Sequence, residues 1–294
     1  MIPCWLSISG HSLVERTGVA TLGWISALIP RKFFRWRLYT EKLRLAFAKV
    51  IISTGRPLEV STYVDNLRIK FIATSFLEYS FRARKSFDRE KVTMYWLRTV
   101  LCDGDIIYDV GANVGAYSLY AAMKYPSCQV YAFEPAYANF CSLCENIKAN
   151  YLDGRVIAYP LGIGRHVKPN KMFLRDTTAG SALHGLGIPE SEGKEFTAKF
   201  TQGTFETSLD SFSKDARSDF PNHIKIDVDG GEGSVLDGMK NVLSDRRLRS
   251  IMVEVNRRVW GDRIEETIRK AGFELVQAEQ LANGEAVNQL FVRD

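Results

Sequence analysis

From Asp105 onward the sequence alternates apolar strands with helical patterns, which predicts an α/β protein built on a mostly parallel sheet covered on both faces. Three observations carry that fold class. Strand-length apolar runs recur at Ile106–Val110, Gln129–Phe133, Arg155–Tyr159, Ile224–Val228, Ser250–Val255, Phe273–Ala278 and Gln289–Val292. Helical periodicity fills most of the gaps, at Tyr117–Lys124, Ala138–Asn150, Ser234–Leu243 and Arg263–Ala271. The last two strands are joined through Asn283-Gly284 with no room for a crossover helix, so they form an antiparallel hairpin.

The elements before Asp105 read differently. Leu13–Pro30 is moderately apolar but is interrupted by Glu15, Arg16, Gly18 and Gly23, and it lacks a basic leader and a cleavage site. It is not read as a signal peptide, and no apolar run approaches the roughly 20 residues that span a bilayer. Arg31–Ile52 is dense in Arg, Lys, Phe and Trp, with apolar residues at helical spacing around Leu38, Leu43, Leu45, Phe47 and Val50. Two readings of this amphipathic helix stand: it docks on its own domain with its charges in water, or its basic face meets an anionic membrane, another polyanion or a protein partner. Glu59–Tyr79 suggests short strands or a hairpin, and Asp88–Leu101 a helix leading into the core.

Charge divides the chain at about the same place. Residues 1–100 hold 17 Lys and Arg against 7 Asp and Glu, net +10, and the remainder 22 against 27, net −5. The expected organisation is a basic N-terminal extension over 1–100 and a cofactor-binding domain over 101–294. With 294 residues and 46% hydrophobic content there is ample material for a packed core. Five cysteines, Cys4, Cys102, Cys128, Cys141 and Cys144, show no disulfide framework and fit a reducing, cytoplasmic location, at most peripheral to a membrane. Cys141 and Cys144 form a CxxC without a second pair or a His cluster, so they read as packing residues on a helix.

The densest chemistry lies in IIYDVGANVG, Ile106 to Gly115, a strand that ends in an acid and a tight turn. Ligands of open parallel sheets bind beyond the carboxyl ends of the strands. Asp109 sits at such an end, Gly111 and Gly115 let the backbone turn sharply, and Asn113 tolerates an unusual φ while offering an amide. Glu134 follows 19 residues after Gly115 at the end of the next strand, where an acid accepts both hydroxyls of a ribose. NAD would suit Glu134 equally well. The loop decides: DxGxNxG with an acid before it disfavours a pyrophosphate and suits the amino group and sulfonium of S-adenosylmethionine. A Rossmann-like sheet closed by an antiparallel hairpin is, moreover, the architecture of class I methyltransferases.

Five blocks in order resemble the FkbM-type methyltransferases: IYDVGANVGAYSL (107–119), YAFEPAYANF (131–140), TSLDSF (207–212), IKIDVDGGEGSVLDGM (224–239) and IMVEVN (251–256). The resemblance implies S-adenosylmethionine as cofactor and O-methylation of a hydroxyl on a sugar, glycan or natural product. It implies cofactor binding by Asp109, Gly111, Asn113, Gly115 and Glu134. Pro135, Leu161, Gly162 and Asp227, at the ends of neighbouring strands, complete the expected set. One departure is Asp229, which stands where the block usually carries Glu.

Removing the proton from an acceptor hydroxyl asks for a base within hydrogen-bond reach. Lys225 and Asp227 alternate with Ile224, Ile226 and Val228, so both face one side of the sheet. A Lys in a central strand requires an acid beside it, Asp227 or Glu254. Asp227 is the expected orienting group or base, Lys225 its electrostatic partner, Glu254 a further candidate; a purely structural ion pair is the competing reading. His184, in the long irregular stretch Gly162–Phe205, is the candidate base among the histidines, and His223 begins a strand. Asp227, Asp229 and Glu232 together could hold a divalent metal, but their spacing equally suits helix capping, and no metal is assigned. An NAD-dependent oxidoreductase, or a non-catalytic module binding anionic surfaces, are the alternatives; sequence-specific nucleic-acid binding is not expected.

Overall fold

The computed structural model describes residues 31–214, 219–281, 284 and 286–293, and the chain divides into two units, Met1–Arg56 and Pro57–Asp294. Cys4, Leu13–Pro30 and Asn283 lie outside the described residues. In the first unit the described element is one 23-residue helix, α1 (Arg31–Ser53). No helix among the described residues is long and apolar enough to cross a membrane.

The second unit opens on the hairpin β1 (Leu58–Val64) and β2 (Leu67–Ala73), paired Val64 to Leu67 across the Asp65-Asn66 turn. Both turn residues have positive φ, 48° and 65°, the geometry that matches the twist of paired strands. A π-helical turn (Glu78–Arg82) runs into α2 (Ala83–Arg89), and α3 (Lys91–Thr99) follows. The helix read over Asp88–Leu101 is thus broken at Glu90, whose φ of −110° and ψ of 83° are not helical. The compact unit starts at Pro57, so the sequence boundary at residue 100 falls inside it.

Then come β3 (Ile106–Val110), α4 (Ala116–Lys124), β4 (Gln129–Phe133), α5 (Tyr137–Ala149) and β5 (Val156–Tyr159). The stretch Gly162–Phe205, expected to be irregular, is largely extended. It holds β6 (Leu161–Ile163), β7 (Lys168–Leu174), β8 (Gly185–Leu186), the small pair β9 (Glu190–Ser191) and β10 (Lys194–Glu195), and β11 (Phe200–Thr207). Four of these form a separate sheet, β6-β11-β7-β8. Gly162, Pro169, Gly185 and Gly203 lie within its strands, and β7 and β11 mix polar and apolar residues on both faces, which hid the alternation.

The chain returns to the main layer through α6 (Leu209–Phe212), β12 (His223–Ile226), α7 (Glu232–Asp237), α8 (Lys240–Ser244), β13 (Ser250–Asn256), α9 (Arg257–Trp260), α10 (Arg263–Lys270), β14 (Glu274–Gln280) and β15 (Ala286–Val292). The single helix expected over Ser234–Leu243 is two, broken at Met239, whose φ of −129° and ψ of 28° are not helical; the preceding Gly238 packs so closely that a Cβ there would lie 2.0 Å from the Gly164 carbonyl oxygen. The seven-stranded sheet has the order β14-β15-β13-β12-β3-β4-β5, parallel except for β15, which pairs antiparallel with both neighbours. The chain runs outward from β3 through β4 to β5 on one side and from β12 to β13 on the other, so the switch in strand order lies between β3 and β12; the carboxyl ends of β3 and β4 carry Asp109 and Glu134.

Period-two alternation sorts the strand residues between two apolar layers. Tyr108, Val110, Ile224, Ile226, Ile251 and Val253 face α7, α8 and α10 through Val235, Leu236, Val242, Leu243, Ile264 and Ile268. Ile107, Val130, Ala132 and Met252 face the opposite layer, built from α4, α5, α3 and the hairpin through Leu119, Leu143, Trp96, Leu97, Ile69 and Phe71. Asn146 and Asn150 of α5 tie the hairpin down, their Oδ1 atoms accepting the Ile72 and Lys70 N–H groups at 2.7 and 2.9 Å.

Candidate active site

The carboxyl ends of β3, β4 and β12 open into a cavity of about 840 Å³, toward the upper end of the range for small-molecule sites. Gly111, Asn113, Glu134, Pro135, Leu161, Gly162, Asp227, Lys225, His184 and Glu254 all line it. Asp109 and Gly115 do not: they stand behind the wall and shape it. Gly111 has φ 83°, and a Cβ would meet the Asp227 carbonyl oxygen at 1.8 Å, so only glycine lets the first turn lie against β12. At Gly115, φ 87°, a Cβ would strike Leu143 of α5 at 2.5 Å.

Glu134 is buried, and its two carboxylate oxygens accept the backbone N–H groups of Ala136 (2.9 Å) and Asn113 (2.8 Å). These bonds fix the acid's orientation and leave further lone pairs toward the cavity. Burial outweighs them and pushes the carboxyl up to about 7. Asn113, at φ 51°, donates its amide to the Ser181 carbonyl at 2.8 Å, while its Oδ1 is buried without a donor.

Below this loop lies a buried ionic cluster on the sheet face that carries α3 and α4. Lys225 pairs in register with Asp109 across β12 and β3. Its ammonium lies 2.9 Å from Asp227 Oδ2 and 3.8 Å from Asp109 Oδ1, with the Tyr117 ring 5.4 Å away. Burial works against the charged lysine, but Asp227, Asp109 and Glu90 outweigh it and hold its pKa above the ordinary range. Burial likewise raises the Asp109 carboxyl against the pull of Lys225 and of Ser118, whose hydroxyl donates at 2.5 Å. Asp227 is the exposed member, its side chain 26% accessible against 4% for Lys225. The partner expected from the sequence, Asp227, is present; Asp109 was not foreseen in that role.

Glu254 lies on the same sheet face and lines the cavity, with its carboxyl raised well above the usual range by burial and by the charges of Asp227 and Glu90. Glu90 also lines the cavity. It accepts the Thr93 hydroxyl at 2.9 Å, and burial followed by the Asp227 charge raises its pKa. Glu90, Arg82 and Tyr117 escaped the sequence reading. The first two belong to the N-terminal third, far from the motif blocks, and only the break between α2 and α3 turns Glu90 inward.

The two histidines singled out from the sequence, His184 and His223, are both spoken for. Arg175 N–H donates to His184 Nδ1 at 3.3 Å and His184 Nε2 meets Ser181 Oγ at 3.1 Å, so the ring ties the 175–184 loop together. Burial pushes the imidazole down to about 4, which leaves it a weak base. His223 bonds Ser250 and Asp105 at 2.6 and 2.8 Å at the opposite end of its strand. Asp229 and Glu232 also serve the scaffold: Asp229 accepts Leu183 N–H at 2.7 Å, and Glu232 accepts Gly230 N–H at 3.0 Å and Trp260 Nε1–H at 3.2 Å. Among the described residues no group of three His, Cys, Asp or Glu side chains is placed to hold a metal ion. With Asn113 and Asp229, Asn139 and Arg82 fasten loop 179–183 over the cavity, bonding the backbone of Gly180 and Ser181 at 2.7 to 3.1 Å.

S-adenosylmethionine fits these residues. A buried acid of the kind that binds a ribose diol lines the cavity, Leu161 and Gly162 line it as well, and Asn113 Oδ1 is buried without a donor, which an amino group would supply.

The sequence profile of the methyltransferase FkbM domain matches residues 109–275, more than half of the chain. Methyltransferase 1 of Beauveria bassiana is 30% identical over 148 residues, covering 47% of this chain and 59% of that protein. The 31-O-demethyl-FK506 methyltransferase FkbM of Streptomyces tacrolimicus is 43% identical over 85 residues, 28% of this chain and 31% of that one. The hexuronic acid methyltransferase AglP of Haloferax volcanii is 29% identical over 154 residues, 52% and 57% of the two chains. The match therefore spans less than two thirds of each of these relatives. Together with the cavity at the ends of β3 and β4, the domain match shows that the chain belongs to the FkbM family of methyltransferases.

Proposed function

We propose that the protein transfers a methyl group from S-adenosylmethionine to a hydroxyl of a sugar, glycan or natural product. The observation that carries this reading is a single cavity in which the Glu134 and Asn113 cofactor wall faces the carboxyl cluster of Asp227, Glu254 and Glu90. Two of the named relatives point to the same acceptor range, one acting on a hexuronic acid and one on the 31-O position of a demethyl-FK506. The domain match gives the nicotinamide alternative no support.

The bound cofactor supplies a methyl on a positively charged sulfur, already a good leaving group. What remains for the protein is positioning, which contributes up to about 7–11 kcal/mol in well-aligned reactions, and removal of one proton. Lys225 stays charged and fixes Asp227, so Asp227 orients the acceptor hydroxyl. Glu254, a strong base in its ionised form because its pKa is raised, takes the proton, and Glu90 holds the acceptor from the same cluster.

The test is incubation with labelled donor and a panel of neutral sugars, glycans and hydroxylated natural products, product mass identifying the acceptor. With that acceptor, Glu254→Gln is expected to lower kcat by about 100-fold or more while leaving S-adenosylhomocysteine affinity within threefold. Unchanged kcat would remove Glu254 from this role, and methylation confined to nitrogen would remove the hydroxyl reading.

A further inference from the structure

Helix α1 carries seven Lys and Arg residues against one Glu, and it has two apolar faces. Ala48 is buried, and Leu45, Ile51 and Ile52 are partly covered. The other face is open: Leu43, Phe47 and Val50 are 55%, 66% and 63% exposed. Their spacing of i, i+4 and i+7 puts them in one line along the helix. In the sequence, the same helical phase continues back to Trp36 and Tyr39.

The charges border this stripe instead of opposing it. By helical phase Lys42 and Lys49 fall on one side and Arg44 on the other, all three exposed, while Glu41 falls away from it. An apolar line with basic residues on both flanks is the pattern of a helix lying in the plane of an anionic bilayer: the apolar side chains enter the headgroup boundary and the flanking cations reach the lipid charges. A nucleic-acid duplex meets the cations through its phosphates but offers no apolar medium to Leu43 and Val50.

We propose that α1 docks the protein on an anionic membrane surface, with Leu43, Phe47 and Val50 inserted at the interface and Lys42, Arg44 and Lys49 on the headgroups. The site is independent of the methyl-transfer reading, and its partner is the lipid surface itself.

Co-sedimentation of the full chain with vesicles tests it, comparing phosphatidylcholine alone with phosphatidylcholine carrying about a third phosphatidylglycerol. At physiological salt the expected preference for the anionic vesicles is tenfold or more, from several basic residues near the surface. Leu43→Glu with Phe47→Glu should lower binding about tenfold or more, and Gln at positions 42, 44 and 49 should weaken it and flatten its salt dependence. Unchanged thermal unfolding and cofactor affinity in each variant separate lost docking from lost folding. Anionic vesicles bound no better than neutral ones, or bound equally by the Leu43→Glu and Phe47→Glu variant, would overturn the proposal. So would RNA bound more tightly than vesicles, or a dimer that dissociates on Phe47→Glu.

Discussion

Glu134 makes cofactor affinity a function of pH, in a direction the structure dictates. Its carboxyl is raised to about 7 by burial, and the diol it faces donates hydrogen bonds, which the ionised form accepts best. Binding is therefore coupled to release of a proton, and affinity rises with pH until Glu134 is ionised. If the ionised form alone binds, about 3% of the protein is competent at pH 5.5, and the dissociation constant there is about thirtyfold larger than at pH 8.5. Isothermal titration with S-adenosylhomocysteine at several pH values reads this directly, and near pH 6 buffers of different ionisation enthalpy should report close to one proton released. Glu134→Gln removes both the dependence and the charge-assisted bonds, worth about 1.5–3 kcal/mol, so its affinity falls about 10- to 150-fold. Asp229→Asn keeps the dependence, because Asp229 bonds Leu183 of the covering loop. A dissociation constant that varies less than threefold from pH 5.5 to 8.5, or a Glu134→Gln variant that binds within threefold of wild type, would refute the reasoning.

Lys225→Met should be costly, since it strands two carboxylates, one of them buried: about 3–5 kcal/mol, or a fall in Tm of about 6–20 °C by differential scanning fluorimetry. The loss should shrink toward pH 5 as Asp109, already raised by burial, takes up a proton; an unchanged Tm at neutral pH would contradict the ion cluster. In the wild type without cofactor, Glu134, Asp229 and Glu232 each sit at about 7, above their unfolded values near 4. The folded state then holds protons that the unfolded chain has released, so stability falls as pH rises from about 4 to 7 and levels off above. Thermal unfolding across that window should show the decline, with Asp229→Asn reducing it; a Tm that climbs through the window would run against these assignments.

The cofactor half of the site was legible because it is local. Asp109 to Gly115 is one loop and Glu134 ends the next strand, so strand-end geometry places them together without knowledge of the rest of the fold. Period two did the same for Lys225 and Asp227. It also puts Asp109, in register with Lys225, on that face, although the sequence alone does not say which strands are neighbours. Of the carboxylates proposed to meet the acceptor, Asp227 and Glu254 were legible at their strand ends and Glu90 was not. Glu90 reaches the cavity through a break between two helices that the pattern merges into one, and His184 looked free because the Arg175 N–H and the Ser181 hydroxyl that occupy it lie in a stretch without periodicity. The second sheet was missed for the same reason: β7 and β11 carry glycine, proline and polar residues where an alternating strand would carry apolar ones.

The charge balance of the cavity explains why so many carboxylates gather around one ammonium. Burial first, and then the charge of Asp227, raises the carboxyls of Glu90, Glu254, Asp229 and Glu232, so these groups hold protons until a further positive charge shares the cavity with Lys225. Such a chamber favours a cationic ligand, and the donor is one at its sulfur. In the proposed reaction, transfer of the methyl group erases that positive charge, while transfer of the acceptor's proton erases the negative charge of an ionised Glu254. Two opposite charges thus disappear together in a region of low dielectric, where keeping them apart from water costs most. Burial is the larger cause of the raised Glu254 pKa, with the charges of Asp227 and Glu90 adding to it; a solvated carboxyl would stay near its ordinary pKa and be too weak to draw the proton. On the proposed mechanism the cationic donor favours the ionised form of Glu254, and the burial and crowding that raise the carboxyl make that form the stronger base.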